Sequence, residues 1–183
     1  MDLLLVRHAI AEEQRPELDD AERALTEDGQ GRFALAVAGL QRLGLTGDAC
    51  WHSPWKRAAE TARLLSPVIA GELRVEPLLA LAPGEALLAK LRGAAPGHRL
   101  ALVGHQPWLG ALAAWLCLGR ADSLSGVRVR KGGLVWLKGS PAPGGMQIEA
   151  VLKPQLLRQI GALAARESRL GGALEGSPPE PRA

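Results

Sequence analysis

The stretch Leu3-Leu4-Leu5-Val6-Arg7-His8 decides how this chain folds. Four apolar residues in an unbroken run, closed by two polar ones, have the pattern of a short strand buried on both faces. A strand of that kind belongs to a sheet covered by helices, and open α/β sheets hold their ligands at the carboxyl ends of the strands. Arg7 and His8 are thereby delivered to such an edge. A guanidinium holds phosphoryl oxygens through two parallel hydrogen bonds, and an imidazole nitrogen can attack phosphorus, so the pair suits a phosphoryl group. By itself the pair is also what many solvated strand ends look like.

Outward from this stretch the pattern alternates strand and helix. Glu12 to Asp20, with Pro16, reads as a surface loop near the site. Thr26 is a good N-cap, Glu27 and Asp28 suit a first helical turn, and Phe33, Val37, Leu40 and Leu43 have helical spacing up to Gly44. Ala49-Cys50-Trp51 predicts a second strand, Trp55 to Ile69 a helix disturbed near Pro67, and Leu73-Arg74-Val75 a third strand. Glu85 to Leu91 predicts a short helix, Arg99 to Val103 a fourth strand and Trp108 to Leu118 a helix. Val127–Val129, Leu134–Leu137 and Met146–Leu152 read as strands, and Pro154 to about Arg169 as a last helix. Residues 1–170 are expected to form one domain, and 171–183, with three prolines, a disordered tail. The expected architecture is α/β with three layers: a mostly parallel central sheet, an antiparallel edge strand and helices on both faces.

Composition narrows the function classes. The 183 residues carry 22 Lys and Arg against 19 Asp and Glu, no Tyr and one Phe. No Lys/Arg block occurs, and the stacking surface used by single-stranded nucleic acid is mostly missing, so a nucleic-acid partner is not expected. Leu100 to Leu118 is apolar but interrupted by Gly104-His105-Gln106-Pro107, which fits a strand and a helix better than a membrane span. Cys50 and Cys117 make neither a disulfide framework nor a metal site. Two buried free thiols, and an amino end without a signal-peptide pattern, fit the cytoplasm.

Three polar clusters occupy the same structural place, each just after an apolar strand. They are Arg7-His8-Ala9, then His52-Ser53-Pro54-Trp55-Lys56-Arg57-Ala58 at a helix entry, then Gly104-His105-Gln106-Pro107. Each has an ordinary reading: Ser-Pro is a common helix start, Arg57 could lie on a helix surface, and Gly-His-x-Pro could be a turn. On one sheet edge, however, two Arg and two His would converge beside a helix N-terminus. His52 could line the same pocket or simply end its strand. Trp55 and Trp108 flank it as an apolar rim or as helix packing. Lys131 could attract phosphate or end a strand in solvent.

Leu5-Val6-Arg7-His8-Ala9, Ser53-Pro54-Trp55-Lys56-Arg57-Ala58 with Thr61-Ala62, and Gly104-His105-Gln106-Pro107 resemble the three signatures of the histidine phosphatase superfamily, also called phosphoglycerate-mutase-like. Small size, Arg23-Ala24-Leu25-Thr26-Glu27-Asp28-Gly29 and Lys131-Gly132-Gly133-Leu134 are similar to its short branch, the phosphohistidine phosphatases of the SixA type. The resemblance implies that His8 is the nucleophile and forms a phosphohistidine intermediate. It implies that Arg7, Arg57 and His105 are catalytic and bind the phosphoryl oxygens, with Ser53 as a further substrate-binding residue. No metal and no cofactor are expected, since two guanidiniums supply the positive charge.

One departure bears on the substrate. Larger members of the superfamily carry a Glu after the third strand that protonates the leaving oxygen. Here Pro83 stands where that acid is expected, and Glu85, Glu12 and Glu13 are the weak candidates to replace it. An alkoxide leaves badly without an acid, whose help is worth roughly 10²–10⁴-fold. An imidazole, with a reference pKa of about 6.5, can bring its own proton. The expected function is therefore removal of phosphate from phosphohistidine on a protein of the histidine phosphotransfer type, in signal transduction, with inorganic phosphate as product. The alternatives are a phosphatase for a small sugar or nucleotide-derived phosphomonoester, and a phosphate-recognition module without turnover. Neither a nucleic acid nor a membrane is expected as partner.

Overall fold

Strand β1 (Asp2–Arg7) alternates its side chains between two cores. Leu3 and Leu5 enter one and Leu4 and Val6 the other, and all four are buried. A strand apolar on both faces is stable only between two layers, and full burial of each such side chain contributes about 1.5–3 kcal/mol. The computed structural model describes residues 1–94, 97–120 and 127–163. Among these the sheet is completed by β2 (Ala49–His52), β3 (Leu73–Val75), β4 (Arg99–Gly104), β5 (Leu134–Gly139) and β6 (Met146–Leu152). Their order is β3-β2-β4-β1-β5-β6. The strands β3, β2, β4 and β1 are mutually parallel, β5 is antiparallel to β1, and β6 is antiparallel to β5 at the edge.

Helices α1 (Glu27–Arg42) and α2 (Lys56–Leu65), with α5 (residues 154–163), cover one face of the sheet through Phe33, Val37, Leu40, Ala62, Leu65 and Leu157. Helices α3 (Glu85–Arg92) and α4 (Trp108–Leu118) cover the other through Leu87, Leu88, Leu91, Leu109, Leu112 and Leu116. This is the three-layer α/β arrangement expected from the alternation of elements. Thr26 caps α1, its hydroxyl accepting from Gly29 N at 3.0 Å. Helix α2 starts at Lys56 and gives way at Leu65 to a 3₁₀ turn, Ser66–Val68, because Pro67 has no N–H to continue the α ladder.

The expected strand at Val127–Val129 does not form. The carbonyl of Val129 accepts from Arg7 Nη1 at 3.1 Å and that of Val127 from Gln106 Nε2 at 3.2 Å. Backbone groups that a ladder would use are held instead by side chains at the sheet edge. The predicted end of the last helix beyond residue 163 and the tail at 171–183 lie outside the described residues.

The topology fixes where a ligand can sit. Chain leaving β1 passes to α1 on one face, and chain leaving β4 passes to α4 on the other, while β1 and β4 pair in parallel with Arg7 opposite Gly104. The divergence opens a crevice at the carboxyl ends of these two strands. Strand β2 ends beside them, with His52 opposite Val103.

Candidate active site

A cleft of about 400 Å³ occupies that crevice, lined among others by Arg7, His8, Arg57, His105, Trp55 and Lys131. The three polar clusters thus meet. His8 is fixed by backbone on both sides: its N–H donates to Gly104 O at 3.1 Å, and its carbonyl accepts from Gly132 N at 3.2 Å. Gly132 also donates to Arg7 O at 3.0 Å and has a φ of +71°, a conformation that side chains with a Cβ resist. Gly29, in the first turn of α1, is constrained by space: a Cβ there would stand 2.1 Å from Ile10 O.

His8 is 5% exposed and its Nδ1 lies 2.7 Å from Ala9 O. A carbonyl oxygen only accepts, so Nδ1 carries the hydrogen and Nε2 keeps its lone pair. Burial first, and then the charges of His105, Arg57 and Arg7, push the His8 pKa down to about 3 against the opposing hydrogen bond to Ala9. At neutral pH the imidazole is uncharged and nucleophilic.

His105 faces it, with ring centroids 5.2 Å apart. Its Nε2 is 2.8 Å from Ser53 Oγ, and Nδ1 is buried without a partner. Burial, and then Arg57, push its pKa down to about 3. Ser53, expected to bind substrate, is fully buried behind His105 and does not line the cleft; its hydroxyl orients the imidazole. Ser53 and Pro54 precede α2, which starts at Lys56, and the Ser53 hydroxyl that meets His105 also accepts from Trp55 N at 3.3 Å.

Arg57, in the first turn of α2, is 3% exposed. Its Nη1 donates to the Asp20 carbonyl and its Nη2 to Asp20 Oδ2 at 2.8 Å. Its guanidinium lies 4.5 Å over the Trp55 ring, which also packs on His105 at 4.4 Å. Trp55 therefore braces two of the converging groups at once. Asp20 also pairs with Arg23 at 2.7 Å. Burial alone would raise the Asp20 carboxyl pKa, but the bonds and charges of Arg57 and Arg23 outweigh it and hold the carboxylate ionised. Nε of Arg7, of Arg23 and of Arg57 is buried with no partner in the protein. Together with His105 Nδ1 these are four donor-capable nitrogens in one cleft, a set that an incoming oxyanion with several acceptors can satisfy.

Sequence reasoning placed Arg7, His8, Arg57 and His105 together, and they are together. It treated Asp20 as the end of a surface loop and Arg23 only as part of a resemblance. The signal was the Asp-x-x-Arg spacing, which puts both on one side of the 3₁₀ turn Asp20–Glu22 and its end. Gln14 was also missed and lines the cleft, while Lys131 and Trp108, weighed earlier, line it too. His52 does not; its Nδ1 bonds Ser53 O at 2.9 Å. The three candidate acids are all outside the cleft. Glu85 pairs with Arg92 at 3.0 Å on the exposed side of α3, and neither Glu12 nor Glu13 reaches the lining, where Asp20 is the one carboxylate. Among the described residues no cluster of His, Cys, Asp and Glu is arranged to hold a metal, and no helix is long and apolar enough to cross a membrane.

The family model for the histidine phosphatase superfamily (branch 1) matches residues 3–80. A protein of unassigned activity from Picosynechococcus sp. is 36% identical over 149 residues, spanning 78% of this chain and 87% of its own length. This chain belongs to the histidine phosphatase superfamily. Among solved structures, the protein histidine phosphatase SixA complexed with tungstate is similar in fold, with TM-score 0.74, 20% identity, and coverage of 86% of this chain and 99% of that one. A putative α-ribazole-5′-P phosphatase from Escherichia coli K-12 has TM-score 0.71 and 18% identity, covering 84% and 98%. The superfamily fold and the converging Arg and His side chains support a phosphatase, while these neighbours differ in the phosphate linkage their names describe.

Proposed function

We propose that this superfamily member removes phosphate from phosphohistidine on a protein, through a phosphohistidine intermediate on His8. The observation that carries the reading is a neutral imidazole with Nε2 bare, in a cation-lined cleft whose one carboxylate is held ionised by two arginines. Nε2 of His8 attacks phosphorus, and the P–N bond to the substrate imidazole breaks. Arg7 and Arg57 neutralise the equatorial oxygens, where charge is largest in the transition state. The departing imidazole keeps the ring proton it brought and needs no acid from the enzyme. Water then cleaves the His8–phosphorus bond and inorganic phosphate leaves. A bound phosphate dianion would raise the pKa of His105 and make it a charged donor. The free thiols Cys50 and Cys117 fit a reducing cytoplasm.

The test is phosphate release from a protein phosphorylated on histidine, by wild type and His8→Ala. Wild type turns over and the variant does not; equal rates overturn the reading. A small phosphomonoester is the second reading, favoured by the fold neighbour named an α-ribazole-5′-P phosphatase. A panel of N-linked and O-linked phosphates separates the two. Trapping labelled phosphate on His8 separates both from a recognition module without turnover.

A further inference from the structure

The cations do not stop at the rim of the cleft. Lys131 is shared between the cleft and a shallow depression beside it that adds Arg32 and Arg158. On the other side of the same segment, Arg128 and Arg130 line a second depression with Lys153. The three surfaces together carry nine Lys and Arg and one carboxylate, Asp20. The whole chain is nearly balanced, 22 against 19, so this side holds a concentrated share of its positive charge. Arg32 is paired with Asp28 at 2.8 Å. Arg128, Arg130 and Lys153 are exposed and have no ion-pair partner among the described residues. Arg128 lies close enough to Arg7 for its charge to add to burial in lowering the Arg7 pKa. The patch is therefore continuous with the phosphate site, and like charges gathered there with few counter-ions among the described residues cost self-repulsion.

A substrate that fits inside the cleft cannot touch Arg128, Arg130 or Lys153, since these line a separate depression. Only a partner broader than the cleft reaches them. Nucleic acid is disfavoured because the cleft offers no series of open aromatic rings: Trp55 is already covered by Arg57 and His105, which leaves Trp108 alone in the lining. We infer that the segment Arg128–Lys131, together with Lys153, is a docking surface for a protein whose phosphohistidine is ringed by acidic residues. This rests on the phosphohistidine reading above. Complementary charge of this kind chiefly raises the association rate and selects partners, and it is screened by salt.

The experiment compares two phosphohistidine peptides of equal length, one flanked by glutamates and one by serines, with N-phosphoimidazole as the small substrate. Wild type is expected to favour the glutamate-flanked peptide by about tenfold in kcat/KM at low salt, with most of that preference gone at about 0.5 M NaCl. The variant R128Q/R130Q/K153Q is expected to lose the preference while keeping its rate on N-phosphoimidazole. Equal wild-type rates on the two peptides overturn the inference. So does a variant that slows N-phosphoimidazole as much as the glutamate-flanked peptide, since the patch would then act only through Arg7. If the variant fails to fold, the wild-type salt series on the two peptides decides. If wild type cleaves none of the three N–P substrates, the phosphohistidine reading falls. The two flanks are then placed around phosphoserine, where the same preference keeps an acidic partner and its absence rejects one.

Discussion

Two clusters of buried charge sit on this fold, and they are built to opposite ends. At the end of β3, Glu76 is 1% exposed, and its carboxylate is fully engaged. Lys90 Nζ reaches both oxygens at 2.9 and 2.8 Å, Leu78 N donates at 3.2 Å, and Arg74 stands 3.6 Å away. At the ends of β1, β2 and β4, by contrast, Arg7, Arg57 and His105 keep buried nitrogens without partners, and the one carboxylate at hand, Asp20, is shared by two arginines. A closed cluster fastens the chain, here β3 to α3. A cluster in which buried donors without partners outnumber such acceptors gives up stability and has the chemistry to suit an anion.

Substitutions in the two clusters should separate them. His8→Ala carries the largest expected effect: phosphatase activity falls by three orders of magnitude or more, roughly, while the fold is kept. Turnover assays beside circular dichroism check it, and retained activity removes His8 from the mechanism. Arg57→Ala comes next, with a loss of roughly 10²–10³-fold in kcat, on the scale of one removed transition-state donor. Phosphate added during unfolding should stabilise wild type and leave Arg57→Ala unaffected.

Acid exposes the cost of the open cluster. His8 and His105 have folded-state pKa values of about 3, below the 6.5 of an unfolded chain, so the unfolded state binds more protons between those values. Their contribution is present above about pH 6.5 and is lost as pH falls toward 3. Urea titrations at pH 7 and 4.5 should show a smaller loss for His105→Gln than for wild type; identical losses would remove His105 from the linkage. Glu76→Gln does the converse of the active-site changes. It costs about 1–3 kcal/mol of unfolding free energy in urea titrations, since Lys90 is itself half-exposed, and leaves kcat unchanged. Asp20→Asn is expected to be smallest, within about threefold on a phosphohistidine substrate. A loss nearer roughly 10²-fold that is confined to phosphomonoesters would make Asp20 the general acid and favour the ester reading, whereas the same loss on both substrates would trace to Arg57, which Asp20 holds.

Much of this was legible in the chain. Leu3–Val6 could only be a strand covered on both faces, and two further apolar runs ending in His52-Ser53 and Gly104-His105 implied one shared edge. Less legible was anything set by partners distant in sequence. Val127–Val129 has strand composition, yet its carbonyls answer Arg7 and Gln106. Ser53 resembles a helix cap, yet its hydroxyl is taken by His105, 52 residues away. Asp20 looks like loop surface, yet it holds Arg57 from 37 residues away.

The layers, the strand ends and the four Arg and His groups that meet in the cleft were readable along the chain, because hydrophobic periodicity and residue chemistry are local properties. Which of those groups is free to act was set by the fold. It bound His8 Nδ1 to Ala9, locked Arg57 on Asp20, left Glu85 outside, and gathered Arg128, Arg130 and Lys153 beside the cleft. Tautomer, charge state and surface field depend on burial and on neighbours through space, which no window of sequence contains.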